Sequence, residues 1–198
     1  MTRAWPVADL DPEASVLDNA RRVLAVRTAE VYSYVPIITR ADQIEHLHDM
    51  RISAKRLRYT LELFRREFGE KGDRAIKGVK AIQEALGTLH DHDVRIALIQ
   101  DELSCLATEQ AADIATAFSS SDIGDFPAIA AAALRPPPDD PKRGLIALLG
   151  REYTARRRVH EEFVALWLRL QDEGMRRDLV ALSSSPIEAS ETAGVHLQ

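Results

Sequence analysis

Cationic side chains recur at helical spacing in one segment of the sequence and could bind an anion. At about 100° per residue, a helix would gather four of them within a stripe about 80° wide: His48, Arg51, Lys55 and Arg58. Arginine presents a planar fork that meets two phosphate oxygens at once, lysine adds a point charge, and histidine donates one or two hydrogen bonds. Such a row repels itself by a few tenths of a kcal/mol per neighbouring pair, which a bound anion would offset. The segment is therefore predicted to bind a polyanion along one ridge.

The same residues also fit a solvated helix face on which cations pair with acids one turn away. Glu62 follows Arg58 by four residues and could neutralise it, which favours this alternative. No other acid falls inside the stripe, which favours a row of cations kept for a ligand. Arg56 and Tyr59 flank the stripe, about 80° and about 20° from His48. The sequence leaves both interpretations open.

A second group of polar residues, His90-Asp91-His92-Asp93, has the composition of a metal site. On a helix His90 and His92 diverge by about 200°, so they cannot clasp one ion. His90 shares the apolar face of its helix, which favours a histidine bonded to a neighbour in the core or between helices. Asp91 and Asp93 are predicted to hold arginines of other helices in place, as supports for an anion site. No metal is therefore expected here.

Three further cations are candidates to extend the anion site. Lys80 lies about 80° from His90 on a helix and could reach the same groove or remain solvated. Arg151 and Arg158 are seven residues apart on the last long predicted helix and fall within about 20° of each other. They could form a second basic rail or pair with Glu162. Both possibilities stay open.

Catalytic signatures are missing from the sequence. It has no Gly-rich phosphate loop and no His-Glu-x-x-His motif, and Cys105 lacks a setting that would activate a nucleophile. A Mg²⁺-dependent phosphohydrolase would need clustered carboxylates, and Asp91 with Asp93 are too few. We therefore expect no catalytic residue, no cofactor and no enzymatic activity.

Charge is segregated along the chain, which matters more than the net charge of −5. Residues 40–66 hold seven Arg or Lys against four Asp or Glu, whereas residues 81–125 hold one basic residue against nine acidic ones. The negative total argues against a nucleic-acid-binding protein, but local fields decide what docks where. A single cysteine, no signal-peptide pattern and no apolar run of membrane-spanning length predict a cytoplasmic protein without membrane contact.

Helices must position these residues, because apolar residues recur at helical spacing and no βαβ pattern is present. Long helices are predicted over about 14–35, 42–68, 73–105 and 145–172, with a short helix at 107–118. Four long helices predict an all-α fold built as an antiparallel bundle.

The helical domain is predicted to cover 14–182. It includes a loop and linker at 119–144, whose Pro-rich part is 135–144. A flexible arm is predicted at 1–13, which holds two prolines among mixed polar residues, and a disordered tail is predicted at 183–198, which is rich in Ser and Glu.

The segment HDMRISAKRLRYTLELF resembles the signature helix of CHAD domains, the conserved-histidine α-helical domains. The following stretch, AIKGVKAIQEALGTLHDHDV, is similar to the family's next helix, and together the two motifs cover about 42–98. The resemblance implies an all-helical CHAD-like fold, no established enzymatic activity, and binding of inorganic polyphosphate along a basic surface. By position, it assigns five residues to the basic motif: His48, Arg51, Lys55, Arg56 and Arg58.

The family fold usually contains two pseudo-symmetric halves, each with a His-x-x-Arg helix, whereas this sequence has one such signature repeat. A homodimer could supply the second half, because symmetry would set two identical basic stripes facing each other. Polyphosphate is thus the expected partner, in a cytoplasm that could include polyphosphate granules, and nucleic acid is not expected. Two alternatives stay open: a metal-dependent polyphosphate or triphosphate hydrolase, and a helical scaffold that docks an acidic protein partner.

Overall fold

Helices form all the regular secondary structure in residues 3–135 and 139–184, which are the residues that the computed structural model describes. No strand occurs within these ranges, so the predicted all-α fold is confirmed. The helices in these ranges are α1 (Val16–Tyr32), α2 (Ile44–Leu63), α3 (Arg65–Ser120), α4 (Phe126–Ala133), α5 (Pro141–Asp172) and α6 (Met175–Ser183).

The described chain forms two compact units. Unit 1 contains residues 3–86 and 164–184, and unit 2 contains residues 87–135 and 139–163. The boundaries fall inside α3 and α5, so each of these helices contributes to both units. The antiparallel bundle of four long helices and the domain limits stay predictions.

Three predicted segments lie partly outside the described residues. The parts outside are residues 1–2 of the flexible arm, the disordered tail from residue 185 onward and residues 136–138 of the linker. The part of the linker that follows already belongs to α5, which begins at Pro141 and not near residue 145. Proline suits this position because the first turn of a helix does not need its N–H.

Apolar side chains at helical spacing build the core of unit 1. The Ser15 hydroxyl caps α1 by accepting a hydrogen bond from the Asp18 N–H, and α1 packs against α2 and α6. On α2 the buried apolar residues are Leu47, Met50, Ala54, Leu57 and Leu61. Because they occupy one side of the helix, another side is left for polar groups.

α2 ends earlier than the sequence predicts. It stops at Leu63, because Phe64 leaves helical geometry at φ −101° and ψ 24°. The next helix begins at Arg65 and is kinked at Gly69, whose φ of 55° is readily adopted only by glycine. Gly69 therefore marks a kink, and the predicted helix end at this glycine is wrong. At the other end of α2, the sequence offers Asp42 as a possible N-cap, because aspartate is a favoured cap residue, but Gln43 occupies the cap position.

Unit 2 is built on an antiparallel pair formed by the second part of α3 and the first part of α5. Side-chain contacts run in opposite directions along the two helices: Asp93 with Arg156, Gln100 with Tyr153, and Gln110 with Lys142. α3 continues to Ser120, whereas the sequence predicted a break near residue 106. In this polar stretch the hydroxyls of Ser104 and Thr108 donate to carbonyls one turn earlier, so both are satisfied within the helix.

Candidate functional site

The cationic stripe of α2, defined as His48, Arg51, Lys55 and Arg58, falls within one uninterrupted helix. The helix therefore places all four side chains along one ridge beside its buried apolar side. Lys55 is exposed, and the other three are half-buried. Half-burial of the side-chain stems restricts where the charged ends can point, so the stripe is held in place by packing as well as by the helix.

Arg51 and Lys55 have no ion pair with any carboxylate in the part of the chain that the structure describes. The Nε atom of Arg51 is buried and has no hydrogen-bond partner among those residues. Leaving such a donor unsatisfied costs about 1–3 kcal/mol. These two cations are one helical turn apart, so they are the part of the stripe most open to an incoming anion.

Two cations of the stripe contact the ring of Tyr59. The Cζ atom of Arg58 lies 4.9 Å from the ring centroid, and the Nζ atom of Lys55 lies 5.7 Å from it. Each such contact contributes about 0.5–1 kcal/mol at an exposed site. The Nε atom of Arg58 also lies 3.5 Å from Oε1 of Glu62, which is the pairing that the alternative interpretation predicted for this residue.

Arg56 extends to the buried carboxylate of Glu30 on α1. Its Nη1 atom donates to Oε1 at 2.8 Å, and Nη1 of Arg27 donates to Oε2 at 2.8 Å. The N–H of Trp5 donates to Oε1 at 3.3 Å. The Glu30 side chain is 0% exposed, so its charge depends on these donors. We call Trp5, Arg27, Glu30 and Arg56 the Glu30 cluster; it fixes α2 against α1 and so sets the direction of the stripe.

The predicted supporting residues on α3 lie in unit 2 and differ in their exposure and in their ion pairs. Asp93 forms an ion pair with Arg156 of α5, and their side chains are 10% and 9% exposed. Asp91 is exposed and has no ion pair among the described residues. His90 is half-buried. The expected partnership between an aspartate and an arginine of another helix is thus present for Asp93 and not for Asp91.

The Glu152 carboxylate of α5 joins two side chains of α3. Its Oε2 atom lies 2.7 Å from Nδ1 of His92 and 2.9 Å from Nε of Arg95. Hydrogen bonding to His92 and then to Arg95 holds the pKa of Glu152 below its usual range. Within residues 3–135 and 139–184, no group of three or more His, Cys, Asp and Glu residues is arranged to hold a metal ion.

The three cations proposed to extend the site are divided between the units. Lys80 belongs to unit 1, and its Nζ atom lies 3.7 Å from Glu84. Arg151 and Arg158 belong to unit 2 and border one groove on α5. Arg158 pairs with Glu162 at 2.9 Å, which is one of the two arrangements that the sequence left open.

A cleft in unit 1 carries cations that the sequence analysis did not single out. It encloses about 400 Å³ and is lined by residues of α3, α5 and α6. The charged residues lining it are Arg74, Lys77, Arg169, Glu173 and Asp178. Acids and bases share this cleft, so its attraction for an anion is weaker than that of the α2 stripe.

The chain matches the model of the CHAD domain family over residues 2–100, which is half of its length. The matched range contains α1, α2 and the first part of α3, and with them the whole stripe and the Glu30 cluster. No curated protein and no solved structure is matched. Among the helices in the described ranges, none has the length and apolar character needed to cross a bilayer.

Proposed function

Because the chain belongs to the CHAD domain family, we propose that it binds inorganic polyphosphate and does not hydrolyse it. The proposed site is the cationic stripe of α2, with Arg51 and Lys55 at its centre. The similarity of residues 48–64 to the family's signature helix supports this choice, since that helix carries the basic surface that the family relationship implies.

The observation that carries the proposal is that two cations of the stripe have no carboxylate partner among the described residues. Arg51 and Lys55 lie one turn apart, and neither has an ion pair among the described residues. Two like charges at this spacing repel each other by a few tenths of a kcal/mol in the free protein. A ligand with closely spaced negative charges removes this repulsion and also accepts hydrogen bonds from both side chains.

Polyphosphate has the chemistry that this ridge can recognise. It is a flexible chain with about one negative charge per unit, and the guanidinium forks of Arg51 and Arg58 can each meet two of its oxygens. It has no bases, and α2 correspondingly offers a single stacking surface, Tyr59, whose ring is already in contact with Lys55 and Arg58. These properties favour polyphosphate over single-stranded nucleic acid.

The remaining predicted residues receive different roles in this proposal. His48 extends the stripe at its N-terminal end, and Arg56 orients α2 through Glu30. Lys80 is proposed as a further contact in unit 1. Arg151 and Arg158 are proposed as a separate anion contact in unit 2, and the residues proposed to support that unit are His90, Asp91 and Asp93. We place the activity in the cytoplasm, where polyphosphate granules would supply the ligand.

Titration with a polyphosphate of defined length at two salt concentrations tests the binding proposal. Each neutralised phosphate should lower log K by about 0.7 for a tenfold rise in salt, so the three permanent cations of the stripe, Arg51, Lys55 and Arg58, predict a slope of about −2. A single-stranded DNA with the same number of charges should bind more weakly. Equal affinity for the DNA, or affinity that does not respond to salt, would contradict the proposal.

Incubation of the protein with polyphosphate and Mg²⁺ tests the second part of the proposal. Phosphate release should stay at the level of a protein-free sample. Release that rises with protein concentration would show instead that the chain is a hydrolase.

A further inference from the structure

The apolar side chains of unit 2 are buried at one end of the unit and only half-buried toward the other end. At that end Leu89 and Phe163 are 1% and 0% exposed. Among the described residues from 100 to 155, by contrast, no apolar side chain is buried. The half-buried apolar residues that recur there at helical spacing are Leu103, Leu106, Ile114, Leu145, Leu148 and Leu149. We call residues 100–120 of α3 and 141–158 of α5 the distal hairpin.

The short helix α4 contacts the distal hairpin at Phe118, whose ring centroid lies 5.3 Å from that of Phe126, and the two long helices cannot close the rest of the apolar seam by themselves. Each amphipathic helix carries an apolar stripe about 100° wide or more, and a single neighbour covers only part of it. Helical folds normally complete such seams with further helices, most often as four. Ile146 and Tyr153 add exposed surface to the distal hairpin, at 60% and 49%. Full burial of one leucine contributes about 1.5–3 kcal/mol, so a cover over this seam would be strongly favoured.

The two helices of the distal hairpin carry opposite charges. Residues 100–120 contain four acidic residues and no basic one, whereas residues 141–158 contain six basic residues and one acidic one. Most of these side chains are exposed, including Glu102 and Glu109 on α3 and Arg143 and Arg151 on α5. A surface with this pattern is complementary to itself when two copies meet about a twofold axis, because α3 of one copy then lies along α5 of the other.

We infer that a second copy of this chain docks on the distal hairpin and that the two hairpins form a four-helix bundle. The half-buried leucines of both copies make the shared apolar core, and the acidic and basic side chains make its polar rim. The twofold relationship uses the same patch on each copy, so the interface closes on a dimer. The inference does not depend on polyphosphate binding at the stripe of α2, since none of its residues belongs to that stripe, although the hairpin includes Arg151 and Arg158, which are proposed above as a separate anion contact.

Sedimentation equilibrium with two charge-reversed forms of the full chain tests the inference. Glu102→Arg with Glu109→Arg leaves residues 100–120 with two acidic and two basic residues, and Arg143→Glu with Arg151→Glu leaves residues 141–158 with four basic and three acidic ones, so each variant loses most of the charge contrast between the two helices. Each variant alone should dimerise at least about tenfold more weakly than the wild type, which corresponds to about 1.4 kcal/mol. An equal mixture of the two should regain wild-type affinity as a heterodimer, a result that misfolding of either variant cannot produce.

Reversal of two exposed cations of unit 1, Arg66→Glu with Arg74→Glu, is the matched control and should leave dimerisation unchanged. A wild-type chain that stays monomeric at all concentrations would overturn the inference, and so would failure of the mixture to regain affinity. A monomer whose hairpin amides lose protection from hydrogen exchange when residues 185–198 are removed would assign the cover to the chain's own C-terminus, which also overturns it.

Discussion

The Nη1 atom of Arg56 lies 2.8 Å from Oε1 of Glu30, and this ion pair joins α2 to α1. Arg56 is about 140° around the helix from Arg51, which has no ion pair among the described residues. Arg56 therefore attaches α2 to α1, and the cations of the stripe lie on a different side of α2. The two sets of arginines are expected to respond differently to mutation, one through stability and the other through binding.

Loss of the Glu30 charge is expected to destabilise the fold. Glu30→Gln leaves Arg27 and Arg56 without their shared carboxylate at a site where the glutamate is 0% exposed. Breaking a buried pair costs about 3–5 kcal/mol, and the partial exposure of Arg56 favours the lower end of this range. Urea denaturation followed by circular dichroism measures the loss.

Glu62→Gln is the matched control for this change, because Glu62 contacts Arg58 on the surface and is 42% exposed. Its effect should stay within about 1 kcal/mol. Equal losses in the two variants would mean that the Glu30 cluster does not hold α2.

Within unit 2, loss of the Asp93 carboxylate is expected to destabilise the fold far more than loss of the Asp91 carboxylate. Asp93→Ala removes the ion pair between Asp93 and Arg156, whose side chain is 9% exposed, and should cost about 3–5 kcal/mol. Asp91→Ala removes an exposed carboxylate and should change the free energy of unfolding by less than about 0.5 kcal/mol. A double-mutant cycle with Arg156→Met measures the coupling directly, and a coupling near zero would refute the pair's contribution.

Tyr32 is predicted to make the fold sensitive to alkaline pH. Burial raises its pKa from 10.0 to about 12, against the smaller lowering effects of Gln171 and Arg176. The folded protein thus holds this proton more tightly than the unfolded chain does. Its contribution to stability is fully present below about pH 10 and is lost as pH rises from 10 toward 12.

Thermal unfolding between pH 9 and 12 checks this dependence. Tyr32→Phe should lower the stability at neutral pH through loss of the Gln171 hydrogen bond. The stability of this variant should, however, decline less steeply than that of the wild type in the alkaline range. Tyr59→Phe, at a ring that is 49% exposed, should follow the wild-type curve. Parallel curves for all three proteins would show that Tyr32 does not titrate abnormally.

The helical periodicity of α2 was sufficient to predict the ridge, because the spacing of His48, Arg51, Lys55 and Arg58 depends on local geometry alone. The helix end was not predictable in the same way. Glycine is a common residue after a helix, which suggested an end at Gly69, but the backbone departs at Phe64, whose sequence carries no such signal. Phe64 lies 6.4 Å from Phe68 between ring centroids, so packing of the following turn accompanies the break.

Glu30 shows why the pairing of Arg56 could not be read from the sequence. Arg27 lies one turn before Glu30, and the sequence allows that local pair. Burial of the carboxylate and its contact with Arg56, 26 residues away, arise only when α1 packs on α2. The same holds for the cleft lined by Arg74 and Arg169, because these residues meet through the packing of separate helices.

The affinity of the Arg51→Ala, Arg58→Ala double variant for a defined polyphosphate is the most direct test of the stripe. Each charge-assisted contact is worth about 1.5 kcal/mol or more, so the pair should lower affinity by at least about a hundredfold while helicity stays unchanged. Arg74→Ala with Arg169→Ala removes the same charge from the cleft in unit 1 and should bind as the wild type does. Wild-type affinity in the α2 variant, or an equal loss in both, would contradict a binding site on α2.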